Sequence, residues 1–143
     1  MLFYELLESN GQEITVMKKL ITAALISMFI VFAVSADAGP YEDGVAAYER
    51  KDYVTAVKLW RFAAEQGDNK AQYDLGMMYG NGGGGLTQDY VRAHMWLNIA
   101  VSNGNKGAWF NLAVVAEMMS QTQVGKAQEM AQLCMKSNFK NCY

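Results

Sequence analysis

The chain has 143 residues, 52% of them hydrophobic, with a formal charge of −2 at pH 7. From Gly39 onward there are 105 residues, enough for one domain with a modest core, and their ten acidic and ten basic residues disfavour a nucleic-acid partner, since a phosphate-reading surface needs a basic excess. No run of basic residues suggests a polybasic membrane patch either.

Lys18-Lys19 precede an apolar run from Leu20 to Val34, and Ala36-Asp37-Ala38 follow ahead of Gly39. A basic start, a short apolar middle and small residues at the cut describe a secretory signal peptide over 17–38. A spanning helix wants about 20 apolar residues, and Asp37 and Pro40 close this run sooner. Residues 1–16 lie upstream of the basic start, so Met17 is read as the initiator and 1–16 as a leader from an upstream start. The working domain is then 39–143, exported to the periplasm or beyond, with no membrane attachment after cleavage. Cys134 and Cys142 would meet an oxidising compartment there, which favours a disulfide. Eight residues of helix would hold their Cα atoms about 12 Å apart, beyond bonding reach. The last helix is therefore expected to stop near Ser137-Asn138 and the tail to fold back.

Helix signals recur along the domain at even spacing, and no segment alternates with the period of two that strands require. A first helix is expected over Tyr41 to Arg50. Asp52 caps a second that runs to about Gln66, where Gly67 ends it in the left-handed conformation. A third begins at Asp68 or Asn69 and runs to about Tyr79. The glycine-rich loop from Gly80 to Gln88 leads to Asp89, which caps a fourth, closed by Gly104. A fifth is expected from Asn105 to about Met119, and Ser120 with Gln123 forms a capping box for a sixth that carries Ala127, Met130, Ala131 and Cys134 on one face.

Asp52 to Leu75 is written again 37 positions later as Asp89 to Leu112, matching at Asp-Tyr, Ala56/Ala93, Ala63/Ala100, Gly67/Gly104, Ala71/Ala108 and Leu75/Leu112. Such a period signals stacked supersecondary units that bury their apolar faces against neighbours. The second and fourth helices read as ordinary amphipathic outer helices. The third has Ala71, Leu75, Met78 and Tyr79 on one face with Tyr73 and Met77 opposite, and the fifth repeats this with Ala108, Leu112, Val115 and Ala116 against Phe110 and Val114. Helices apolar on two faces are expected to be sandwiched, and Gly76 removes a side chain where two helices approach. The fold predicted is all-α, an α-solenoid of about three antiparallel helix pairs.

Ala71-Gln72-Tyr73-Asp74-Leu75-Gly76, Tyr79, Asn81-Gly82, Gln88-Asp89-Tyr90, Ala93, Trp96 and Ala100 resemble one full Sel-1-like repeat, a relative of the tetratricopeptide repeat. The resemblance runs from Tyr41 to the end, with a partial repeat on either side. Ser120 to Val124 with the closing cysteines resemble the terminal cap of small exported members. The loop Gly82 to Gly85 departs from the pattern through an extra glycine and the lack of a proline after Leu86. What the resemblance implies is a scaffold that binds proteins or peptides on the inner face of the superhelix, with no catalytic centre and no cofactor. The alternative is binding or hydrolysis of cell-wall fragments or β-lactams, as in cysteine-rich relatives that carry a disulfide in nearly every repeat.

No catalytic set and no metal site emerges from the residues. His94 is the lone histidine, with no second ligand or paired acid, and is expected to be a partly exposed surface residue. The two cysteines lack the CxxC spacing of a redox or zinc site. The glycine run follows a helix where a phosphate loop follows a strand, and no Lys-Ser or Lys-Thr succeeds it, so it reads as a flexible connector. Asp52 and Asp89 stand at equivalent repeat positions, where capping accounts for both. Trp109 replaces Gln72 of the preceding repeat on the edge between the apolar faces, a suitable anchor for a peptide or a cover for the terminal helix. Gln72, Asp74 and Asn111 complete the candidate contact set. Trp60 and Trp96 are expected in the core, and Met118, Met119, Met130 and Met135 in packing.

Overall fold

A computed structural model describes residues 38–140 and Cys142. The proposed leader 1–16 and all but the last residue of the proposed signal segment 17–38 lie outside the described residues. Six helices follow one another: α1 Pro40–Glu49, α2 Tyr53–Glu65, α3 Asn69–Asn81, α4 Tyr90–Ser102, α5 Ala108–Glu117 and α6 Gln121–Lys136, with no strand among the described residues. The fold is all-helical, as an α-solenoid requires.

The helix ends follow from side-chain chemistry. Asp52 accepts a hydrogen bond from the Thr55 N–H at 3.2 Å, Asp68 from Lys70 and Ala71 at 2.8 and 2.9 Å, and Asp89 from Arg92 at 2.9 Å. Each satisfies donors that a first helical turn leaves orphaned. Ser120 and Gln123 exchange the two bonds of a capping box. Gly67 and Gly104, at φ +88° and +89°, reverse the chain after α2 and α4, in a backbone region that costs a residue with a Cβ. α5 begins at Ala108, three residues later than the sequence suggests. Asn105 still accepts from the Ala108 N–H at 3.2 Å, but Lys106 and Gly107 form a turn ahead of the first α-helical residue.

α1 pairs with α2 and α3 with α4, while α2 also packs on α3, and α4 on α5. Gly76 lets α3 and α4 touch: a Cβ there would stand 2.8 Å from the Leu97 Cγ. Gly44 does the same for α1, where a Cβ would meet the Trp60 ring at 2.5 Å. Trp60 is 4% exposed and Trp96 fully buried. With Leu75, Met95, Leu97 and Ile99 they form a continuous core, and each such side chain contributes about 1.5–3 kcal/mol on burial. The register between repeats is set by a polar ladder at their turns. Gln72 donates to the Ala64 carbonyl at 3.2 Å and accepts from Asn103 at 2.9 Å. Asn69 donates to the Asn103 carbonyl at 2.8 Å, and Asn105 to the Asn69 carbonyl at 3.0 Å.

The third pair departs from this scheme. α6 packs along α4, and α5 and α6 meet only sparsely. Two expectations are corrected as a result. α4 is no ordinary amphipathic outer helix: with α3, α5 and α6 all against it, the consecutive residues His94, Met95, Trp96 and Leu97 are all buried. α5, expected to be sandwiched, keeps one flank bare, with Trp109 at 64%, Phe110 at 75% and Met118 at 63% exposure.

Cys134 and Cys142 are paired at disulfide geometry, with Cα atoms 4.7 Å apart. α6 stops at Ser137, and Asn138 and Phe139 take positive φ to turn the tail back. Phe139 thereby packs beside Gly67. The glycine-rich connector is packed at its centre: Gly84 lies so close to Met78, Val57 and the Tyr53 carbonyl that a Cβ would come within 2.7 to 3.0 Å of all three.

Candidate functional site

The inner helices α1, α3 and α5 line two adjoining cavities. One, of about 200 Å³, lies between α3 and α5 and is bounded by Met77, Asn81, Asn111, Val114, Val115 and Met118, with Gln88 and Tyr90 at its rim. The other, of about 320 Å³, lies between α1 and α3 and is bounded by Tyr41, Val45, Tyr48, Trp60, Asp74, Met77, Met78 and Asn81. Met77 and Asn81 belong to both. The result is a short groove with apolar walls and a few carboxamides, the mixture that ligand sites use for burial and orientation.

Of the four sequence-derived contact candidates, two fall in this groove. Asp74 lines the larger cavity. Asn111 lines the smaller one and donates to the Tyr73 hydroxyl at 2.9 Å, which ties the α5 wall to the α3 wall. Gln72 does not belong to the contact set. Its side chain has no exposed surface, and its carboxamide is consumed by the inter-repeat ladder. Trp109 is exposed but lines neither cavity. It sits on the bare flank of α5, where the register puts the buried Gln72 of the preceding repeat. The residues that sequence reasoning missed are Tyr41, Tyr48, Asn81, Gln88 and Tyr90. Tyr41 and Tyr48 stand seven positions apart, two helical turns, and that spacing was the available signal for a shared face.

Electrostatics distinguish Asp74 from the capping acids. Burial pushes the Asp74 carboxyl up to about 6, opposed by the hydrogen bond from the Tyr41 hydroxyl and reinforced by the charge of Asp68. Tyr41 is pushed up to about 12, by burial first and then by the Asp74 charge. Asp52 goes the other way, held below the usual carboxylate range by its bonds from Thr55. Burial would raise Asp89, but the Arg92 backbone N–H and guanidinium outweigh it and lower it, the latter in an ion pair of 2.6 Å.

His94 is 3% exposed, contrary to the surface position expected for it, and its Nδ1 has no hydrogen-bond partner. Burial lowers its pKa, so the neutral imidazole is favoured. It packs as a core residue, as Val57 does at the equivalent place in α2. Among the described residues no cluster of His, Cys, Asp and Glu is arranged to hold a metal ion. No described helix is long and apolar enough to cross a membrane.

The Sel1 repeat family model matches residues 36–68 and 69–105. Those spans correspond to the α1–α2 and α3–α4 hairpins and meet at the cap Asp68; α5 and α6, the pair that opens, lie beyond them. No curated protein and no solved structure matches the chain.

Proposed function

The chain belongs to the Sel1-repeat family, whose repeats generally mediate protein–protein interaction, and from that premise we propose that it is an exported, non-catalytic adaptor holding a protein or peptide partner in the groove of α1, α3 and α5. The observation that carries the reading is the pair of adjoining cavities along the inner helices, joined through Met77 and Asn81. Apolar walls supply burial, and the Asn81 carboxamide supplies a donor and an acceptor for a peptide backbone, joined by the Oδ1 of Asn111 and the Oε1 of Gln88, whose amide nitrogens already donate to Tyr73, Gly80 and Tyr90. The paired cysteines support an oxidising compartment, hence export.

Affinity purification from the native cell tests the reading, comparing wild type with Val114→Arg, which places a charge in the smaller cavity, and with Lys58→Glu, on the exposed outside of α2. A partner retained by wild type and Lys58→Glu and lost with Val114→Arg is the expected result. Equal retention by all three would place the contact elsewhere.

A further inference from the structure

The larger cavity has a composition that the groove reading leaves unexplained. Tyr41, Tyr48 and Trp60 supply three aromatic walls, and Asp74 supplies a carboxylate. No lysine, arginine or histidine lines it. Tyr48 stacks over Trp60, with ring centroids 5.5 Å apart and the planes tilted by 34°. The Trp60 indole N–H is anchored on the Tyr41 carbonyl at 3.3 Å, which fixes two walls relative to each other. The Tyr41 hydroxyl also acts on the Asp74 carboxyl, opposing the upward push of burial. The one ion pair among the described residues joins Asp89 and Arg92, so the half-buried Asp74 carboxylate has no cationic partner within them. Aromatic faces attract cations through their quadrupoles, and a carboxylate in an apolar wall gains from a charge-assisted bond. The Tyr41 ring already accepts an ammonium group, since the Lys70 Nζ lies 5.4 Å from its centroid.

We infer that this cavity is a receptor for an organic cation, namely the lysine or arginine side chain of a bound partner segment, with the aromatic rings around its alkyl stem and Asp74 at its charged end. The inference rests on the groove reading and refines it. Because Met77 and Asn81 line both cavities, a segment with its basic side chain here would place an apolar neighbour against Val114 and Met118.

The test uses small cations, so it can fail while the groove reading stands, and the reverse. The disulfide-intact, ¹⁵N-labelled protein is titrated with the N-acetyl methylamides of lysine, arginine and norleucine, and with choline, while the indole N–H signals of Trp60 and Trp109 are followed. Lysine or arginine amide is expected to shift Trp60 saturably in the millimolar range and leave Trp109 in place, and the norleucine amide to shift neither. Asp74→Asn is expected to weaken binding about tenfold or more. Tyr48→Leu, which keeps the acid, is expected to weaken it about threefold to tenfold. Equal response to norleucine, or unchanged affinity in both variants, would overturn the inference. Choline binding more tightly than either amino-acid amide would overturn the assignment to a partner's side chain.

Discussion

Replacing Gly76 with alanine should destabilise the protein, although alanine is the better helix former. Propensity alone favours the alanine by about 0.5–1 kcal/mol. The new Cβ, however, would stand 2.8 Å from the Leu97 Cγ, 3.0 Å from its Cδ2 and 3.3 Å from the Ala93 carbonyl oxygen. Leu97 is fully buried and Ala93 O belongs to the α4 backbone, so neither can swing away. Overpacking of this kind costs about 1–3 kcal/mol, which leaves a net loss of about 0–2.5 kcal/mol, centred near 1 kcal/mol. Leu97→Ala removes the obstruction and by itself costs about 2–5 kcal/mol through the cavity it opens. In that background Gly76→Ala should become neutral or stabilising. Urea unfolding of the four members of this cycle, followed by circular dichroism, measures the inversion. If Gly76→Ala stabilises the wild-type background, α3 and α4 do not approach as closely as described, and the stacking argument fails with them.

Gln72→Ala should cost about 1–2 kcal/mol, because it leaves the part-buried Asn103 carboxamide without its acceptor and removes one of two bonds to the Ala64 carbonyl, which keeps the Gly67 N–H; Trp109→Ala, one repeat later, should change stability by less than about 0.5 kcal/mol, as expected for an exposed side chain. Two groups should tilt stability against pH in opposite senses. His94 is lowered by burial, so as pH falls past 6.5 the unfolded chain takes up the proton first and the folded state loses stability; His94→Val should therefore help more at pH 5 than at pH 8. Asp74 is raised to about 6, so the folded state holds a proton that the unfolded chain has released between about pH 4 and 6, and stability gains as pH falls through that window. Asp74→Asn should accordingly stabilise by about 1–2 kcal/mol at pH 8, a figure discounted for partial exposure, and by much less at pH 4, as read from denaturation midpoints. Reduction of the Cys134–Cys142 bridge, which closes a loop of eight residues, should cost about 2–3 kcal/mol and loosen Phe139 from Gly67, observable as a lower melting temperature with reductant.

The hairpins were legible because each end is written locally and twice. Asp52 and Asp89 open α2 and α4, Gly67 and Gly104 close them, and Gly76 marks the close approach of α3 to α4. Both helices of the third pair and the Ser120–Gln123 capping box were legible, but their packing was not, because the 37-residue offset stops at Leu112, and the choice of α6 to lie on α4 depends on surfaces brought together only by folding. His94 followed from that choice: its burial comes from the helices surrounding α4. In the groove, Asp74 and Asn111 were readable as equivalent edge positions. Gln72 was misread because a polar residue near an edge looks available until its backbone partner, eight residues upstream in α2, is known. Trp109, its counterpart, has two readings in the sequence, exposed anchor and cover for the terminal helix; it is exposed, on an edge that lies away from the groove.

The groove itself is tested most directly by site-specific photo-crosslinking in the native cell, with the photoreactive residue placed at Asn81, which borders both cavities, or at Lys58 on the outside of α2. A discrete adduct from position 81, none from 58, and loss of the adduct when Val114→Arg is added is the predicted result. An adduct from position 58 alone, or one at position 81 that survives Val114→Arg, would contradict binding along the inner helices.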